Sequence, residues 1–210
     1  AALAGALQAH GVRVDALAGV ERAPRDARTV WEHEGASLGE LLQKMLPPSD
    51  NFIAEMLCRQ IAKRRDPAAG FQACNAAQRD YAQSIGIDPR TLSLHDGSGL
   101  SRYDLIPPRD LALLLAAIAR QPNGALIRAA LPRPGSAGTL ADRFAGSPLA
   151  SRISAKTGSM KHVENIAGYV ESEGSGKLAF AVLIQGFAAE ADRPAAAKAA
   201  ERIVEAIANL

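Results

Sequence analysis

Two short stretches carry residue types that could do acyl-transfer chemistry together. In PPSDNFIAEML (47–57) the run Ser49-Asp50-Asn51 sits between two prolines and an apolar helical pattern, and in ISAKTGSM (153–160) Lys156-Thr157-Gly158 sits in an alternating strand pattern. Taken alone, the first run is explained by helix capping, a role that all three residue types favour. A given tripeptide arises by chance in roughly 2% of chains of this length, so both in this order fall well below ~0.1%. S-D-N followed by K-T-G is the second and third part of a three-part serine acyl-transfer signature.

The chemistry asks for these types. An acyl enzyme needs groups that move a proton between nucleophile and leaving amine. Ser49 beside the Lys156 ammonium makes such a relay, its hydroxyl both accepting and donating. Asn51 can offer its amide N–H to a substrate carbonyl while its oxygen holds a lysine. Lys156 and Thr157 point to opposite sides of a strand, so Thr157 can meet a substrate carboxylate while Lys156 lies under the site and supplies positive potential. Gly158 lets an extended peptide lie along the strand edge, and the Ser159 N–H is a candidate oxyanion donor.

Several elements must position these groups. The patterns predict a short helix over 3–9, extended chain over 11–24, and a helix over 37–45 with Ser37 and Glu40 as a capping box. A helical hairpin follows, over 52–64 and 71–84, with Ile53, Met56, Leu57 and Ile61 on one stripe. A glycine-rich loop occupies 93–104, and Pro107-Pro108 opens an apolar helix over 109–120. The stretch 121–144 holds at most one short helix. Three strands (SRISAKTGSM, ENIAGYVESE, KLAFAVLIQGF) then lead to a final helix beginning near 192–194, the last two strands joined through Gly174-Ser175-Gly176. Helices, a strand meander and a closing helix give an antiparallel sheet covered by helices, read as one domain over 1–210.

Composition narrows the function classes. With 210 residues and 48% hydrophobic content the chain can bury a full core. Twenty-four basic against 22 acidic residues leave +2, and the longest basic cluster is Lys63-Arg64-Arg65 without interleaved aromatics, which argues against nucleic acid. The longest apolar run, Leu111 to Ala119, is far short of the ~20 residues of a spanning helix. No metal-ligand spacing or cofactor motif occurs. Cys58 and Cys74 fit either one disulfide or two buried thiols. The start, AALAGALQAHGV, has no basic residue before an apolar core and reads as the tail of a helix rather than a signal peptide.

Rival constellations are weaker. His95 and Asp96 are adjacent, but no G-x-S-x-G elbow accompanies them, so they are read as shaping the glycine loop. Gly97-Ser98-Gly99 completes neither phosphate-binding motif and reads as a turn. His10 and His33 read as ordinary surface or core residues, while His162 follows K-T-G closely enough to reach the rim of a cleft. Trp31 and the stripe Ile203, Val204, Ile207 read as core.

Beyond the two motifs, SDNFIAEML, HDGSGLSRYDLIPPRDLALLL, LPRPGSAGTLADRF and AKTGSMKHVENIAGYVES stand in an order in which the chain resembles the penicillin-binding proteins, most closely the class C low-molecular-mass D-alanyl-D-alanine carboxypeptidase/endopeptidase family. The resemblance implies an α/β, β-lactamase/transpeptidase-like sandwich with an antiparallel sheet between helices and its N-terminal part missing. It also implies a periplasmic or cell-envelope location, and peptidoglycan stem peptides and β-lactams as ligands. Family roles then fall on Ser49 and Asn51 as S-x-N, on Lys156, Thr157 and Gly158 as K-T-G, and on the Ser159 amide as half of an oxyanion hole. The family's first motif, S-x-x-K, is absent, since no serine here has a lysine three residues later. The chain is therefore expected to be the C-terminal portion of a longer protein whose N-terminal part supplies the nucleophile. The alternative is a non-catalytic module that binds D-alanyl peptides. Glu55 is the sole glutamate between Asn51 and Lys156, one helical turn past Asn51, which argues against a class A β-lactamase mechanism.

Overall fold

The computed structural model describes residues 2–15, 19, 24, 26–66 and 70–210. It divides into a unit ending at Gly35 and a unit over Ala36–Leu210, each described by itself. In the first, helix α1 (Ala2–Ala9) stops where Gly11 takes φ +80°, a left-handed turn open to glycine. Half of the stretch expected to be extended, 11–24, lies outside the described residues. Trp31 is 75% exposed and stacks on His33 with ring centroids 5.6 Å apart, contrary to the core role expected of it. It sits in irregular chain, which has no amphipathic face to bury an indole.

The second unit opens with α2 (Leu38–Met45), whose capping box forms as expected: the Glu40 carboxylate accepts from the Ser37 N–H at 2.7 Å. Helices α3 (Asn51–Arg65) and α4 (Phe71–Ser84) form the expected hairpin, and a Cys58–Cys74 disulfide closes it with Cα atoms 5.5 Å apart. Of the two sequence-level options for these cysteines the structure takes the disulfide. It also moves the buried line of α3. Cys58 and Ala62, one turn apart, meet Ala73 and Cys74, whereas Ile61, expected on the stripe, is 47% exposed. Small residues beside the bridge bring the two helices together along that line and turn the larger side chains aside.

The strands form the expected meander, β1 (Ile153–Met160), β2 (Val163–Ser172) and β3 (Gly176–Gln185), in the order β1-β2-β3. Ala155 pairs with Gly168 and Gly168 with Phe180, so Ile153, Ala155, Ile166, Val170, Phe180 and Val182 share one face. Helix α7 (Arg193–Ala208) packs there through Ala200, Val204 and Ala208. Val204 and Ile207 join this core as expected, but Ile203 is 45% exposed, because the contact line follows every fourth residue from Ala196 to Ala208. The opposite face meets α5 (Pro108–Arg120), where the Tyr169 hydroxyl donates to the Leu115 carbonyl at 2.7 Å. Gly168 is required by close approach, since a Cβ there would fall 2.2 Å from the Ser154 carbonyl oxygen. The sheet is thus antiparallel with helices on both faces, as the sequence predicts. Between α5 and β1 the chain holds one short α-helix, α6 (Gly124–Ala130), and then an irregular loop.

Candidate active site

Ser49 and Asn51 reach the cleft because Asp50 does the capping. The Asp50 carboxylate accepts from the Ile53 N–H at 2.9 Å, which is the N-cap bond of α3. Its neighbours on either side are left to face outward. Ser49 holds φ +60°, a left-handed conformation that strains a non-glycine residue and is kept only when the surroundings dictate it. They do so here: the Asp50 N–H is bound by the Met45 carbonyl at 2.8 Å, so α2 runs into α3 through a single tight corner at Pro47-Pro48.

Strand β1 brings the second group of residues to the same place. A cleft of about 600 Å³ is lined by Ser49 and Asn51 on one side and by Lys156, Thr157, Gly158 and Ser159 on the other. All six residues singled out from sequence therefore share one cavity. A second cavity of about 800 Å³ continues on the α5 side of the sheet, with Lys156, Thr157 and Gly158 common to both. The direction of the β1 amides follows from one bond. The Ala155 N–H points off the free edge of the sheet to the Pro132 carbonyl at 3.0 Å. By the two-residue period, the Thr157 and Ser159 N–H groups point off that same edge, toward the cleft. A Cβ on Gly158 would meet only the Asn165 Cβ at 3.7 Å, so packing within the chain gives no reason for glycine there. The bare edge is left to whatever occupies the cleft.

Electrostatically the site is set by Lys156. Its Nζ donates to the Thr157 carbonyl at 2.8 Å, and burial lowers its pKa by penalising the charged form. An ammonium moved in this direction is better matched to proton transfer near neutral pH.

The glycine loop forms the far rim. Gly97 lies where a Cβ would come 2.3 Å from the Cys58 Cβ, and its N–H donates to Glu55 at 3.0 Å, so Glu55 fastens the loop to α3 and is not among the residues lining the cleft. Asp96 accepts from the N–H groups of Gly99 at 2.5 Å and Ser101 at 2.7 Å, while the His95 ring lies against Ser93 and Tyr103. Burial pushes the Asp96 carboxyl up, but these bonds outweigh it and hold the pKa below the usual range. Asp96 therefore shapes its own turn, as the sequence reading has it, and presents no oxygen to a His95 triad. His162 does not line the cleft. It takes φ +61° in the β1–β2 turn, with its Nδ1 2.8 Å from the Phe187 carbonyl.

Sequence reasoning missed Thr139 and Arg143, which line the cleft from the irregular loop, and Glu164 behind it. Nothing in the spacing of LADRF marks Arg143. Glu164 could have been found only from strand register, which sets it opposite Ser159.

A family model described as D-Ala-D-Ala carboxypeptidase 3 (S13) matches residues 1–209. A D-alanyl-D-alanine carboxypeptidase of Haemophilus influenzae is 32% identical over 185 residues, covering 86% of this chain and 38% of that protein. One from Actinomadura is 34% identical over 199 residues, covering 89% of this chain and 37% of that protein. The chain thus spans under two fifths of these relatives. Among solved structures, that of penicillin binding protein 4 from Haemophilus influenzae, complexed with a β-lactam, aligns with TM-score 0.87 at 27% identity, over 99% of this chain and 50% of that one. A class A β-lactamase from Bacteroides cellulosilyticus, 24% identical with TM-score 0.58, shares the fold.

Proposed function

This chain belongs to the D-Ala-D-Ala carboxypeptidase 3 (S13) family, and from that premise we propose that it carries two of the three motifs of a penicillin-sensitive serine carboxypeptidase/endopeptidase site whose nucleophile lies outside residues 1–210. The observation that carries this reading is the meeting of Ser49, Asn51 and Lys156–Ser159 in one cleft from two distant parts of the sequence. The substrate is an extended peptidoglycan stem peptide ending in D-alanyl-D-alanine, laid along the free edge of β1. An S-x-x-K serine attacks the penultimate carbonyl. The oxyanion that forms receives the outward Ser159 N–H, a donor fixed by the strand before reaction begins. Ser49 and Lys156 pass the proton to the departing D-alanine, Asn51 holds the substrate amide, and the Thr157 hydroxyl binds the terminal carboxylate. A β-lactam takes the same path but leaves a stable acyl enzyme. The Cys58–Cys74 disulfide fits a periplasmic or cell-envelope setting, where such bonds persist.

A second reading is a D-alanyl-peptide-binding module without chemistry, favoured by the absence of S-x-x-K in these residues. Kinetics of penicillin acylation on the complete protein separate the two. The enzyme reading expects covalent labelling that slows by at least about a hundredfold in Lys156→Ala, the scale of a lost proton-transfer group. No labelling of the wild type leaves the binding module.

A further inference from the structure

A buried ionic chain runs behind the cleft from strand β1 to helix α7. Glu164, whose side chain is 4% exposed, accepts from the Ser159 hydroxyl at 2.7 Å with one oxygen and from Arg143 at 2.8 Å with the other. Arg143 donates its Nε–H to Glu201 at 2.5 Å and its remaining terminal nitrogen to the Ala197 carbonyl at 3.2 Å. Lys198, itself largely exposed at the outer end of the chain, closes on Glu201 at 2.9 Å. Buried Arg143 pairs with both carboxylates and the solvent-facing Lys198 supplies the second positive charge, so neither carboxylate is left without a cation.

Three consequences follow from who donates to whom. Each nitrogen of Arg143 makes one bond to the protein, three of its five N–H groups in all, so the side chain is held in place where it lines the cleft. A carboxylate only accepts, so the Ser159 hydroxyl proton is committed to Glu164, and its lone pairs are what the cleft meets. Of the two β1 hydroxyls, that leaves Thr157 to donate to the terminal carboxylate. The register gives the third. The outward amides of Ala155 and Ser159 make Ser159↔Glu164 a non-hydrogen-bonded antiparallel pair, in which side chains stand closest and a bond between them restrains the strand end directly. The loop that supplies Arg143 is fastened at its other end, where the Thr139 N–H donates to the Pro47 carbonyl at 3.1 Å, next to the S-D-N corner.

We propose that Glu164 is a positioning residue for the reaction: through Ser159 it fixes the cleft end of β1, and through Arg143 it ties that end to α7 and to the loop bonded beside Ser49. The inference rests on the acyl-enzyme reading, because what Glu164 holds in place is the Ser159 amide assigned to the oxyanion.

The test uses the complete protein and a peptide ending in D-alanyl-D-alanine. Glu164→Gln can keep both contacts only by turning its amide N–H onto the Ser159 hydroxyl, which reverses that bond, frees the hydroxyl proton and removes the negative charge that holds Arg143. It is expected to lower kcat about tenfold, part of what an oxyanion donor is worth, with KM within about twofold. Ser159→Ala cuts the same link from the cleft side and leaves the ion pairs whole, so it keeps the test decisive where Glu164→Gln fails to fold. It too should lower kcat about tenfold. In the Ser159→Ala background, adding Glu164→Gln should cost less than about a further threefold, the signature of coupled sites. A normal kcat in either single variant, or equal losses from Glu164→Gln in both backgrounds, overturns the proposal. If the wild type does not turn the peptide over, the function reading falls by itself, and amide hydrogen exchange then decides the role of Glu164. Faster exchange over Gly158–Met160 in Glu164→Gln with α7 unchanged supports it, and unchanged exchange there overturns it.

Discussion

At the scale of single residues, the S-D-N run divides its labour: the middle residue caps a helix and the outer two line a cleft. Two measurements separate these roles. Asp50→Ala should cost about 1 kcal/mol of stability in chemical denaturation, the usual worth of an N-cap, whereas Ser49→Ala should cost little stability and slow acylation. Lys156 yields a test with a definite sign. Because burial lowers its pKa on folding, the unfolded chain holds the proton more tightly. The resulting penalty on folding is fully present below the folded-state pKa, and it disappears as pH rises past the ordinary lysine value. Lys156→Met should therefore raise the thermal midpoint at pH 7 while abolishing fast acylation, and its advantage in stability should shrink as pH is raised toward that of a free lysine. Thr157→Val removes the hydroxyl assigned to the terminal carboxylate and should raise KM for the peptide at least about tenfold, which steady-state kinetics reads directly.

At the scale of elements, most of what was legible in the sequence came from period and punctuation. The capping box of α2, the prolines before α5 and the alternating runs of the meander mark their elements because each is a local device, and local devices survive folding unchanged. What could not be read was decided across elements. Ile61 and Ile203 lie on apolar faces by sequence yet are about half exposed, since the buried lines of α3 and α7 are set by what they meet: a disulfide and its alanines in one case, the inner face of the sheet in the other. The same holds in the site, where Ser49, Asn51 and Lys156–Ser159 were visible as motifs, but Arg143 and Glu164 act through register and long-range ion pairs that leave no spacing. The α3–α4 disulfide, spanning 16 residues of sequence, makes the strongest expectation at this scale. Closing a loop of that length is worth about 3 kcal/mol. The double variant Cys58→Ser, Cys74→Ser, or reduction of the wild type, should lower the denaturant midpoint accordingly and slow penicillin acylation, since α3 carries Asn51 and backs the loop at Gly97.

At the scale of the whole molecule, the sheet with helices on both faces, the family match over residues 1–209 and the alignment with a β-lactam-bound relative describe one kind of protein. The chain spans under two fifths of these carboxypeptidase relatives, and none of its serines has a lysine three residues later, which is the ground for the proposed nucleophile outside residues 1–210. No described helix is long and apolar enough to cross a membrane. The proposed chemistry is one that residues 1–210 complete but do not start. Its most direct test is mass spectrometry of the complete protein after incubation with benzylpenicillin, with digestion to place the adduct. One penicilloyl group on a serine that has a lysine three residues later, outside residues 1–210, and its loss of rapid formation in Lys156→Ala, is the expected result. An adduct on a serine within these residues, or no adduct at all on active-folded protein, would contradict the account.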